Sequence, residues 1–277
     1  MQRLRLVSAI GWGFPTWDEN DAASLLAEIG IPHVQVFRNI HKDIPAADIR
    51  SGLAGHGLKV ASLHAFFGDE YDPGNPDESA RRRNVDNLAR EADYCLELGG
   101  NLVVVHPGDA ILGPATRDTR RVDALVRSGE QLAAVGERTG VVFSLENLQP
   151  GQMGDDMAML RGVADKVDSL RLGLNYDCGH ANLTSDPMTV LRQAGPRIVS
   201  THIHDNHGRE DEHVAPGFGN IDMDAVCREL AEVNYHGDFT LELMETVDSV
   251  RAKCDGQWLA KLNRWLDLAS GIEPAAQ

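Results

Sequence analysis

Strand-like and helix-like segments alternate eight times along this chain, and that alternation limits the fold more than any other feature. Apolar runs rich in β-branched residues occur at LRLVSAI (4–10), HVQVF (33–37), LKVASLH (58–64), NLVVVH (101–106), VVFSLE (141–146), LRLGLNYD (170–177), IVSTHIH (198–204) and FTLELM (239–244). Between them lie amphipathic stretches such as SARRRNVDNLAREADYCLELG and TRRVDALVRSGEQLAAVGERTG. Their apolar residues recur every three or four positions and a glycine often closes them, as helix C-caps do. Repeated βα units require a parallel sheet, and eight of them close it into a barrel. An open doubly wound sheet fits less well, because no GxGxxG follows the first strand. The chain has 277 residues and no linker or break in composition. The expected fold is therefore α/β, a single (β/α)8 TIM barrel filling residues 1–277, a usual size for that architecture.

A closed barrel gathers the C-terminal ends of its strands on one face, where active sites of this architecture lie. Residues far apart in sequence then meet without a local motif. Glu146, Asp177, His202 and Glu242 stand at or near the ends of the last four runs. A carboxylate inside an apolar strand needs a cation or a proton to offset its desolvation. Carboxylate oxygens with imidazole suit Mn²⁺, Mg²⁺, Co²⁺ or Zn²⁺, so these four residues are expected to hold a divalent metal. Strand alternation puts His202 and His204 on one face, and Glu242 on one face with Thr240 and Met244. Glu245 has the opposite parity. His64 and His106 end the third and fourth runs, and His180 follows Asp177 in DCGH, where Gly179 permits a sharp turn. Asp211 and His213 lie in DEH after the seventh run. These five are candidates for substrate contact or further metal coordination. His33, His41, His56, His207 and His236 read as surface residues. The long segments 65–78, 107–116 and 205–221 follow strands and are expected to form walls or lids over the same face.

The formal charge is −16, from 26 basic and 42 acidic residues. Such a chain repels phosphate backbones, so nucleic acid is a disfavoured partner. The dense basic cluster Arg81-Arg82-Arg83, with Arg90, reads as a solvated helix face balanced by Glu78 and Asp86. Cys95, Cys178, Cys227 and Cys254 have no paired spacing and read as free thiols of a reducing compartment. No signal-like segment and no apolar run near ~20 residues is present. The expectation is a cytoplasmic protein that does not engage a membrane.

HPG, SLEN, DCGHAN, HIHDN with DEH and PGFGNID, and the strand-end glutamate of FTLELM resemble the xylose isomerase-like barrel superfamily over residues 58–244. That group includes sugar isomerases and epimerases, inosose-processing enzymes and endonuclease IV-type enzymes. Resemblance to the ketose epimerases implies that Glu146, Asp177, His202 and Glu242 hold one metal. It also implies that Glu146 and Glu242 are the catalytic acid/base pair and that His180 touches the sugar. Resemblance to endonuclease IV implies a larger set of His64, His106, Glu146, Asp177, His180, His202, Asp211, His213 and Glu242 around as many as three zinc ions. The early loops GWGFPTWDEN and FRNIHKDIP lack the basic character that DNA would need, and Phe218 stands where the pattern often has an acidic residue. The leading expectation is a divalent-metal-dependent sugar or cyclitol isomerase or epimerase that works through a metal-stabilised cis-enediolate. The alternatives are a zinc phosphodiesterase on abasic DNA, or a metal-dependent dehydratase or lyase on a keto-sugar. Arg209 and Lys42 are the only loop cations offered for a phosphate, which favours a non-phosphorylated small molecule. Barrels of this superfamily often form homo-oligomers, although no apolar stripe in the sequence assigns an interface.

Overall fold

The computed structural model describes residues 2–15, 18–108, 113 and 118–273. Its eight strands are β1 (Arg5–Trp12), β2 (His33–Arg38), β3 (Lys59–His64), β4 (Leu102–Val105), β5 (Val142–Glu146), β6 (Leu172–Asp177), β7 (Ile198–Ile203) and β8 (Asp238–Leu241). They pair in sequence order as one closed barrel. The closing pair is parallel, with Arg5 opposite Asp238 and Ser8 opposite Leu241. The expected (β/α)8 barrel is therefore the fold. The last run ends as a strand at Leu241, so Glu242, Leu243 and Met244 lie just past β8 on the loop side.

The surrounding helices are α1 (Glu19–Glu28), α2 (Ala46–Gly55), α3 (Glu78–Leu98), α4 (Thr119–Thr139), α5 (Met157–Val167), α6 (Cys178–Thr184), α7 (Pro187–Ala194), α8 (Met223–Glu232), α9 (Val247–Lys253) and α10 (Gly256–Ala269). Aspartate opens most of them. Asp77, Asp118, Asp156, Asp186, Asp222 and Asp255 each accept a hydrogen bond from a backbone N–H of the first turn. This satisfies donors that the helix cannot pair itself and places negative charge at the positive end of its dipole. At the other end, Gly99 and Gly140 adopt left-handed backbone that a side chain would strain.

Alternation along the strands divides the interior in two. Val34, Val36, Val103, Val105, Phe143, Leu145, Leu174 and Phe239 face the helices in one continuous apolar core. The barrel lumen holds small polar residues instead. Ser144 Oγ lies 2.7 Å from Ser200 Oγ; β5 and β7 are not neighbours, so this contact crosses the lumen. Two register shifts, at Val34/Gln35 and Leu174/Asn175, seat Gln35 opposite Ser62 and Asn175 opposite Ser200.

One sequence expectation needs correction here. Arg81 is not on a solvated face: it is 1% exposed and donates to Ser128 and Gln131 on α4 as well as Glu78. Its position in the helical repeat turns it toward α4, while Arg82 remains outside on Glu78. The loop expected at 107–116 falls largely outside the described residues, which include only Pro107, Gly108 and Gly113 of it. The four cysteines are free and buried. Among the described residues, no helix is long and apolar enough to cross a membrane.

Candidate active site and metal centre

Strand ends on the loop side converge on one polar cluster. Single ligand atoms of Glu146, Asp177, His202 and Glu242 all lie within 4.8 Å of one another. Each residue is buried, the most exposed being Glu242 at 4%. His202 Nδ1 sits 2.6 Å from Glu146 Oε1, 3.1 Å from Glu242 Oε2 and 3.7 Å from Asp177 Oδ2. Its other nitrogen, Nε2, is 2.8 Å from Gln35 Oε1 across the lumen.

Asp177 has a second task at the start of α6. Its Oδ1 accepts from His180 N at 2.7 Å and lies 3.0 Å from His204 Nε2. These bonds fix the carboxylate and leave Oδ2 on the His202 side. Gly179 works differently from the sharp turn the sequence suggested. It lies within α6, and a Cβ there would fall 1.9 Å from His204 Cε1. Glycine is needed because the His204 ring occupies the space a Cβ would fill. Gly179→Ala should displace that ring, cost about 1–3 kcal/mol as overpacking does, and loosen Asp177. Thermal melting and a metal titration check both effects; an unchanged melt would contradict them.

The further candidates also assemble. His64 Nε2 and His106 Nε2 lie 3.3 and 3.4 Å from Glu146 Oε2. Asp211 Oδ2 bridges His180 Nε2 at 3.1 Å and His213 Nε2 at 3.0 Å. His213 has left-handed backbone at φ 47°, a strained conformation for a non-glycine residue. Its ring stacks on His204 with centroids 3.8 Å apart. All nine sequence candidates therefore border one centre. The loop 205–221 is tied down rather than hinged: Asp205 bridges Val214 and accepts from the Gly217 and Ile221 N–H groups. Phe218 is half exposed beneath Lys253 Nζ at 5.0 Å. Glu245 turns away, as its parity required, toward Lys253 and Ala215 N.

Electrostatics explain how so much buried charge coexists. Burial alone would raise the Glu146 carboxyl, but the His202 charge and hydrogen bonds from His106, His202 and His64 outweigh it and hold the group well below the usual range. Burial opposes protonation of His202 in turn, and Glu146 and Glu242 override it, pushing the imidazole well above its ordinary value. The protonated ring thus supplies positive charge beside three carboxylates. The donor set fits a hard divalent cation, with three carboxylates and one imidazole converging. Glu242 Oε2 is buried and faces only the ring nitrogens of His202 at 3.1 Å and His213 at 3.5 Å, with no well-aligned hydrogen-bond donor, as suits a ligand oxygen.

An open pocket of about 230 Å³ leads to this cluster. His64, His106, Glu146, His180, Asp211, His213 and Glu242 form its polar wall, and Phe37, Phe67, Leu148 and Met244 its apolar one. Neither Arg209 nor Lys42 lines it, nor does any other Arg or Lys among the described residues. Sequence reasoning missed Gln35, Asn147 and Gln149. Asn147 Nδ2 donates to Asp177 O, and its Oδ1 accepts from Asp177 N. Gln149 Nε2 donates to Asp211 Oδ2 at 2.8 Å. The available signal was one neutral polar residue in the apolar run HVQVF, and two amides following the strand that carries Glu146.

Known proteins share this architecture. The uncharacterized protein MJ1311 of Methanocaldococcus jannaschii is 30% identical over 196 residues, covering 69% of this chain and 67% of that protein. The inosose isomerase of Bacillus velezensis is 26% identical over 212 residues, 73% of each chain. A crystal structure of a D-tagatose 3-epimerase-like protein superposes with a TM-score of 0.74 at 24% identity, covering 95% of this chain and 98% of that one; at that identity the likeness speaks for the fold. A family model described as xylose isomerase-like TIM barrel matches residues 23–262, and the chain belongs to that family.

Proposed function

We propose that this chain is a divalent-metal-dependent isomerase or epimerase of a sugar or cyclitol ketone, with Glu146 and Glu242 as its acid/base pair. The observation that carries the reading is the pair's geometry: both carboxylates flank His202 Nδ1, at 2.6 and 3.1 Å, and both border the same pocket. The likeness to an inosose isomerase supports the substrate class. Glu146, Asp177, His202 and Glu242 would hold the cation, which supplies Lewis-acid stabilisation of negative charge on neighbouring oxygens.

One glutamate takes the proton from the carbon beside the substrate carbonyl, leaving a cis-enediolate. The other returns a proton, either from the opposite face of that carbon or to its neighbour. Proton transfer by such groups contributes about 10²–10⁴-fold. His180 and His213 stand beside Asp211 on the same wall and hold substrate hydroxyls. Phe67 and Met244 cover the apolar C–H side and limit water. The same intermediate can expel a β-substituent, so dehydratase or lyase products are part of the same chemistry.

A second reading, a zinc phosphodiesterase on abasic DNA, draws on the adjoining clusters His64–His106–Glu146 and His180–Asp211–His213. The lack of a lining cation weighs against it. The deciding experiment incubates Mn²⁺- or Co²⁺-loaded protein with free ketohexoses and inososes in D₂O and follows proton NMR. Solvent deuterium entering the carbon beside the carbonyl is expected. No exchange at full metal occupancy, together with cleavage of abasic duplex by the Zn²⁺-loaded protein, would replace the first reading with the second.

A further inference from the structure

We infer that Gln35 is a positioning residue of the metal centre, fixing the ring nitrogen that His202 presents to the cation. The inference rests on the metal reading above and goes beyond it. Gln35 has 0% exposure and Ser62 2%. The Gln35 amide Nε2 donates to Ser62 Oγ at 3.1 Å. That bond turns Oε1, an acceptor only, toward His202 Nε2 at 2.8 Å. A neutral His202 therefore carries its proton on Nε2, and the Nδ1 lone pair faces Glu146, Asp177 and Glu242. A metal-ligating histidine is commonly held this way by a hydrogen bond to its distal nitrogen, which sets tautomer and ring orientation.

The backbone supplies this contact from the far side of the barrel. Gln35 lies on β2 and His202 on β7, so their bond spans the lumen. The register shift between Val34 and Gln35 seats Gln35 beside Ser62; without it Gln35 would stand opposite Ala61, which has no side-chain acceptor for its amide. The choice of an amide over a carboxylate also has a reason. Three carboxylates already outweigh a divalent cation, and a neutral acceptor orients His202 without adding a fourth negative charge in a buried layer.

The test measures Zn²⁺ affinity by competition with a fluorescent chelator for the wild type, Gln35→Leu and Gln35→Glu. Gln35→Leu keeps the volume but leaves the Nε2–H without an acceptor, and should bind about 10- to 100-fold more weakly. Gln35→Glu retains the acceptor and should bind at least as tightly as the wild type. Apo-protein melting controls for general damage, which would weaken both variants alike. Nitrogen-15 NMR of the Zn²⁺-loaded wild type gives an independent reading, with the His202 proton expected on Nε2. A proton on Nδ1, Gln35→Leu binding within about twofold of the wild type, or failure of Gln35→Glu to rescue would overturn the assignment. A wild type that binds no Zn²⁺ would overturn the metal reading itself, and this inference with it.

Discussion

Glu242→Gln is expected to lower kcat by about 10²–10⁴-fold, the range for loss of a general acid or base. The substitution preserves volume, yet an amide cannot carry the proton between carbon and pocket. Glu242 Oε2 also lies 3.1 Å from His202 Nδ1 and 3.5 Å from His213 Nδ1, so the variant should weaken cation binding as well as proton transfer. Glu146→Gln should reduce turnover at least as much. Its carboxylate is also the partner of His64, His106 and His202, so metal affinity should fall with it. Chemistry is separated from metal loss by measuring kcat at saturating cation, with occupancy verified by elemental analysis. Full turnover in either variant would remove that residue from the acid/base pair.

The largest stability effect is expected away from the chemistry, at Asp72. Arg121 on α4 donates to Asp72 Oδ1 and Oδ2 at 3.0 and 2.8 Å, and both side chains are about 2% exposed. The pair joins the loop after β3 to α4 beneath the HPG turn. A Cβ on Gly108 would fall 2.5 Å from Arg121 Nη2 and 2.7 Å from Asp72 Oδ1, which accounts for the glycine of that motif. Asp72→Asn leaves a buried guanidinium without its counter-charge, a loss of about 3–5 kcal/mol. For a domain of this size that corresponds to a Tm drop of roughly 6–20 °C. The double variant Asp72→Leu with Arg121→Met should recover much of the loss, because burying a charge pair is itself costly. A single variant melting within about 2 °C of the wild type would contradict the account.

The barrel was legible because β-branched runs and helical periodicity agree across the whole chain. The candidate site was legible because carboxylates and imidazoles recur at successive strand ends, which a closed barrel brings to one face. What stayed hidden depends on tertiary placement. Gln35 carries no charge, and its significance comes from a register shift and a partner 167 residues away. Gly179 resembles a turn residue until the His204 ring lies against it. Arg81 joined its neighbours in a basic run, and only the packing of α3 on α4 separates it from them. His204 shared parity with His202, but its bond to Asp177 and its stack on His213 require α6 and the β7 loop to be in position.

The central claim is that Glu146, Asp177, His202 and Glu242 form one cation site, and metal atoms per chain test it most directly. Elemental analysis of gently purified wild type, beside Asp177→Asn and His202→Leu, should find one tightly held divalent ion in the wild type and a large loss in both variants. A wild type that takes up no metal even after soaking, or variants that hold as much as the wild type, would contradict the account.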